Sequence, residues 1–189
     1  MQPNYIEIAK LLSNDERFTV PLFQRPYVWT KDEQWDPLWE DILGTLRRLE
    51  TRKGDAHVAS HFLGTIVLEQ KPNPIGSLTR REVIDGQQRL TTLPIPLRAT
   101  EHAIREVMPP EGSSDFEDWS MERDKIGRLT RNLSAGEERY KVWPTNEDRA
   151  PFRQVMDAPP GGVAGPGTRM SGAYEFFRQK TREYIGQDV

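Results

Sequence analysis

Val83-Ile84-Asp85-Gly86-Gln87-Gln88-Arg89-Leu90-Thr91-Thr92-Leu93 is the stretch on which the fold turns. Arg81 to Ile84 read as a strand, Asp85-Gly86 as a sharp turn, and the chain from about Gln87 as a helix. Such a step suits an anion, because the first helical N–H groups lack internal partners and the helix dipole favours negative charge there. Gly86 lets the backbone turn tightly and approach a ligand. Arg89 can lay a fork of donors over a phosphate. Gln87 and Gln88 offer amides to a phosphate, a base edge or a water. Thr91 and Thr92 lie within a turn of Arg89 and can help a ligand or bond the backbone. Asp85 can hold Mg²⁺ on phosphates or cap the helix. The plain alternative is an ordinary strand–turn–helix step with no ligand.

A second unusual segment lies upstream, Phe18-Thr19-Val20-Pro21-Leu22-Phe23-Gln24-Arg25-Pro26-Tyr27-Val28-Trp29. Phe18 and Val20 alternate as a brief strand that Pro21 ends, and Pro26 keeps the next residues extended or turned. As a pocket wall, it would point Gln24 and Arg25 at phosphates and Tyr27 or Trp29 at a base. Otherwise the aromatic rings pack and Arg25 meets an exposed carboxylate.

Ile6, Ala9, Lys10 and Leu12 predict a short first helix. Thr30-Lys31-Asp32-Glu33 reads as a capping box. The helix it opens carries Trp35, Leu38, Trp39, Ile42, Leu43, Leu46 and Leu49 at helical spacing, with Pro37 near its first turn. Phe62 to Leu68 is nearly all apolar and predicts a central strand. Beyond the break at Pro109-Pro110 the chain is mostly helical. Trp119, Ile126, Leu129 and Leu133 can share one face, Tyr140 to Trp143 reads as a short edge strand, and helices follow near Asn146 and through Tyr174, Phe177 and Ile185. Ala158 to Gly167 is a Pro/Gly-rich loop. The expectation is an α+β domain over 1–110, a small mixed sheet flanked by helices, then a mostly helical extension over 111–189. No clear stop follows the last helix, so a fragment or truncated copy is expected.

The 189 residues suffice for a real core. With 26 basic and 29 acidic residues the net charge is −3, so there is no basic tail, although local patches can still meet DNA. Arg47, Arg48, Arg52 and Lys53 form one small basic cluster, and Arg80 with Arg81 another. The lack of cysteine excludes disulfides, thiolate chemistry and sulfur-ligated zinc. The N-terminus is no signal peptide and no stretch reaches membrane-helix length, so a cytoplasmic, non-membrane protein is expected.

The order of these segments resembles the N-terminal domain of GmrSD-type restriction proteins. The match is carried by Phe-x-Val-Pro-x-Phe-Gln-Arg-x-Tyr-x-Trp, Phe-Leu-Gly-Thr-Ile-Val-Leu and Val-Ile-Asp-Gly-Gln-Gln-Arg-Leu-Thr-Thr-Leu. It continues more weakly through Lys141 to Thr145, Asp148-Arg149, and Ser171 with Tyr174, Phe176 and Phe177. The resemblance implies a ParB/sulfiredoxin-like fold and a part in restricting modified phage DNA. It implies nucleoside-triphosphate binding and hydrolysis, with GTP or another triphosphate and Mg²⁺. Catalytic roles would fall to Asp85, Gln87, Gln88 and Arg89, with Asp85 as the metal ligand. Gln24, Arg25, Tyr27, Gly86, Thr91 and Thr92 would bind the nucleotide. Expected partners are DNA and a His-Asn-His type nuclease domain or subunit, with homo-oligomerisation allowed.

The histidines are His57, His61 and His102, so the nuclease itself is not expected in this chain. His57 and His61 lack an obvious partner carboxylate, and His102 reads as a surface helix residue. Pro94 and Pro96 predict a short helix, a kink and a second helix from about Leu97, at a cost of roughly 3 kcal/mol for a proline inside a helix. A displaced motif helix would weaken binding. The alternatives to a hydrolase are a nucleotide- or DNA-sensing module that regulates a nuclease, or an inactive family member.

Overall fold

Four short strands form one mixed sheet in the order β2-β3-β1-β4. These are β1 (Glu16–Thr19), β2 (Val67–Gln70), β3 (Thr79–Asp85) and β4 (Val142–Trp143). β1 runs parallel to both its neighbours, with Glu16 opposite Thr79 through to Thr19 opposite Glu82 on one side, and Phe18 opposite Val142 on the other. β2 is antiparallel to β3. The computed structural model describes residues 4–52, 58–72, 74–161 and 167–186. The helices are α1 (Ile8–Ser13), α2 (Asp36–Glu50), α3 (Gln87–Thr92), α4 (Pro94–Val107), α5 (Phe116–Thr130), α6 (Asn146–Asp157) and α7 (Arg169–Ile185). The architecture is α+β, as expected.

The alternation of Phe18 and Val20 does what period-two patterning dictates. Both are buried, with Val83 and Val142 beside them, and Leu12, Leu90, Ile95, Phe152, Tyr174 and Phe177 complete one core drawn from both ends of the sequence. Trp35, Leu38, Trp39, Ile42 and Leu43 turn toward that core as their spacing predicts.

Four expectations need correction. The apolar run Phe62 to Leu68 is not a central strand. The strand begins at Val67 and lies at the sheet edge, while Phe62 is exposed. Gly64, at φ +99°, breaks the run, and Thr65 and Ile66 lie against Gly86 instead of in the sheet. Thr30 makes no side-chain cap. A wide π turn over Lys31–Trp35 precedes α2, and the Thr30 N–H donates to Gln34 Oε1 at 2.9 Å. Leu133 lies past the end of α5 and is exposed. His102 is fully buried where α4 packs against α7. Its Nδ1 lies 2.5 Å from the Tyr174 hydroxyl, beside the buried Arg98–Glu101 pair.

The prolines do little harm. Residue Leu93 stays helical at φ −52°, ψ −42°, and α4 starts at Pro94, earlier than expected. Pro94 and Pro96 therefore occupy a first turn, where an N–H has no helical partner to lose.

Candidate functional site

Three sequence-distant segments converge on the start of α3. Gly86 holds φ +85°, the left-handed region, and caps the helix. A Cβ there would come within 2.9 Å of the Thr65 carbonyl oxygen. This close approach, together with the positive φ, explains the glycine. The helical ladder begins with Leu90 N–H donating to Gly86 O at 3.0 Å.

The two glutamines bind the Gln24–Val28 segment. Gln87 Nε2 donates to Arg25 O at 2.9 Å. Gln88 uses both ends of its amide: Nε2 donates to Pro26 O at 3.0 Å, and Oε1 accepts the Val28 N–H at 2.9 Å. One side chain thus imitates a strand neighbour for a proline-braced segment that has none. Gln24 Nε2 donates to Ile84 O at 3.2 Å and closes the seam from the other side. Gln87 Oε1 is buried without a partner.

Tyr27 is buried, its ring in the core and its hydroxyl accepting from Trp35 Nε1 at 3.1 Å. Thr92 Oγ1 lies 3.0 Å from the same hydroxyl and donates to Gln88 O. Burial pushes the Tyr27 phenol up to about 12, against the lowering effect of Thr92 and Trp35. Thr91 and Thr92 are both buried. The Tyr27 N–H donates to Asp148 Oδ2 at 2.8 Å, and the same oxygen accepts from Thr145 Oγ1 at 2.7 Å. Asp148 belongs to a segment that the sequence matched only weakly, and no chemistry was assigned to it. Its position after Pro144-Thr145, at the start of a helix, was the available signal.

Arg89 points away from the glutamines. Its Nη2 donates to the Thr65 carbonyl, its Nε is buried without a partner, and Gly64 leaves room for the guanidinium. Asp85 and Arg25 are exposed. Among the described residues, Asp85, Arg25 and Arg89 form no ion pair. A cleft of about 210 Å³ lies beyond Tyr27, lined by Pro26, Glu147, Asp148, Thr168 and Arg169 among others.

No group of three or more His, Asp or Glu suited to a metal occurs among the described residues. Of the histidine pair, His57 lies outside the described residues, and His61 Nε2 meets Asp41 at 3.2 Å. Asp85 therefore belongs to no such group, and it fits Mg²⁺ only if phosphates supply further ligands. Among the described residues, no helix is long and apolar enough to cross a membrane.

The pattern of one family, the GmrSD restriction endonuclease N-terminal domain, matches residues 8–179. No curated protein matches the chain. The match spans all three segments around α3 and runs on through α6 and into α7, so the chain belongs to the family of GmrSD restriction endonuclease N-terminal domains.

Proposed function

We propose that this restriction-system domain binds a nucleoside triphosphate, GTP being the first to test, at the Asp85–Arg89 turn. We further propose that it uses this binding to regulate or power cleavage of modified DNA by a His-Asn-His nuclease partner. The observation that carries the reading is a contrast within one turn. Gln24, Gln88, Tyr27 and Thr92 are committed to main chain or core, whereas Asp85, Arg25 and Arg89 have no charged partner among the described residues. The first set builds a rigid wall and the second supplies charge. Arg25 and Arg89 would hold phosphate oxygens and offset charge on the transferred phosphoryl group. Gln87 keeps a free acceptor, Oε1, with which to orient a water. Asp85 would hold a Mg²⁺ ion that arrives with the phosphates, and the ion would supply neutralisation of phosphate charge.

Binding without turnover is the second reading. It is favoured by Gln88, whose amide nitrogen and oxygen are both engaged by main chain. A nucleotide panel with Mg²⁺, scored for both binding and phosphate release, separates the two. Arg25→Ala is the variant of choice because its side chain is exposed. It is expected to weaken triphosphate binding by about tenfold, the loss of one charge-assisted contact. Absence of binding for every nucleotide would overturn the proposal.

A further inference from the structure

Arg17 is a buried cation that the nucleotide turn does not use. It sits on β1 opposite Arg80 of β3 and is only 8% exposed. Its Nε is buried without a partner, and among the described residues its guanidinium makes no hydrogen bond or ion pair. Its close contact is the Trp143 ring, whose centroid lies 4.7 Å from the guanidinium carbon. Arg149 and Arg153, one turn apart on α6, approach the same ring at 5.2 and 5.6 Å. Tyr140 stacks on Trp143 at 5.5 Å and 15° and fixes the indole.

Two carboxylates face this cluster, and both are taken by the outer arginines. Arg80 pairs with Glu138 at 2.6 Å and Arg153 with Glu137 at 3.4 Å. Arg17 and Arg149 have none. Desolvation, then Arg80, lower the Arg17 pKa, with Arg149 adding to them against Glu137 and Glu138. An unpaired buried charge is costly, and a cation–π contact offsets only part of that cost. Four guanidiniums against two carboxylates leave a local excess of positive charge in a protein that is acidic overall.

We propose that Arg17, Arg149 and Trp143 form the floor of a binding site for a phosphate group, with Arg80 and Arg153 as its walls. Guanidinium forks match phosphate oxygens in pairs. The site is separate from the α3 turn. Arg80 and Asp85 are five residues apart on β3, about 16 Å at roughly 3.3 Å per residue. The phosphate belongs either to a nucleic-acid backbone or to a free nucleoside triphosphate, and the chemistry at Arg17 is the same for both. Neither this site nor the α3 turn depends on the other.

The test titrates the whole chain with a labelled duplex of arbitrary sequence over a range of salt, and in parallel with a nucleoside triphosphate. Wild type is compared with Arg149→Gln and Arg17→Met. Both variants are expected to lose at least tenfold in affinity for one probe. Loss for the duplex, with a log K against log salt slope flatter by about 0.9 per phosphate contact removed, assigns the backbone. Loss for the triphosphate assigns the free nucleotide. Arg17→Met is expected to keep or raise the melting temperature, since it removes an unpaired charge, whereas a purely packing role for Arg17 predicts a fall. If Arg17→Met does not fold, the half-exposed Arg149→Gln decides alone. Wild-type affinity and salt slope for both probes in every folded variant would overturn the site, and so would failure of wild type to bind either probe.

Discussion

Replacing Gln88 by leucine tests whether this side chain builds the wall. The substitution removes the donor to Pro26 O and the acceptor of the Val28 N–H. Each bond contributes about 1 kcal/mol net, and the two main-chain groups left half-buried add about 1 kcal/mol more. The expected loss is therefore about 3 kcal/mol. With a urea m-value of about 2–3 kcal/mol/M the unfolding midpoint falls by about 1 M or more, and tryptophan fluorescence can follow it. Gln88→Glu sharpens the test. Its carboxylate still accepts from Val28 but faces the Pro26 carbonyl with a like charge, and only its protonated form can donate there. Burial raises the folded-state pKa of that carboxyl above its unfolded value of about 4.3. The contribution is then fully present below about pH 4.3 and is lost as pH rises through the folded pKa. Relative to wild type, Gln88→Glu is thus expected to be weaker at pH 8 than at pH 5. A loss under about 0.5 kcal/mol for Gln88→Leu, or parallel pH curves for Gln88→Glu and wild type, would refute the wall.

Gly86→Ala forces a Cβ to within 2.9 Å of Thr65 O at φ +85°, so a loss of at least about 2 kcal/mol is expected from left-handed strain plus displaced backbone, read by chemical denaturation. Desolvation, then Arg98, lower the His102 pKa to about 4. Because its folded pKa is depressed, its contribution is present above the unfolded value of about 6.5 and is lost as pH falls toward 4, by up to about 3 kcal/mol. His102→Gln should flatten that part of a stability–pH curve. Pro96→Ala should change stability by less than about 1 kcal/mol and leave nucleotide binding intact. A large gain in either would mean that the proline distorts α3 after all.

The sequence made the sheet's inner strands readable because Phe18, Val20 and Val83 follow the pleat. It made α2 readable because its apolar residues recur at helical spacing. The edge strand was misplaced because an apolar run does not say whether its residues join a sheet. Phe62 stays exposed, and Thr65 and Ile66 lie against Gly86, about 20 residues later, so the strand starts only at Val67. His102 was misread because Arg98, Glu101 and Arg105 surround it on α4 and give that face a surface composition. Only the tertiary packing reveals that Arg98 and Glu101 pair inside, with Glu101 against Gly127 of α5, while Arg105 reaches Glu101 from the exposed side. At the candidate site, the residue set was legible from its motifs. What the sequence hid was which atoms are spent on structure: nothing in the spelling of Gln87-Gln88 distinguishes an amide that meets a ligand from one that holds a backbone.

The place of β1 in the sheet has a consequence for how the protein is made. The Phe18 N–H donates to Lys141 O at 2.7 Å, and Val20 N–H to Trp143 O at 2.8 Å. Those carbonyls are synthesised roughly 120 residues after β1, which at about 5–20 residues per second is a delay of some 6–25 s. For that time one side of β1 is an open strand edge on the ribosome, next to the apolar side chains of Phe18 and Val20, and an unpaired edge of that kind invites pairing with the wrong chain. Production of the domain should therefore be sensitive to translation speed and to chaperones that shield nascent strands.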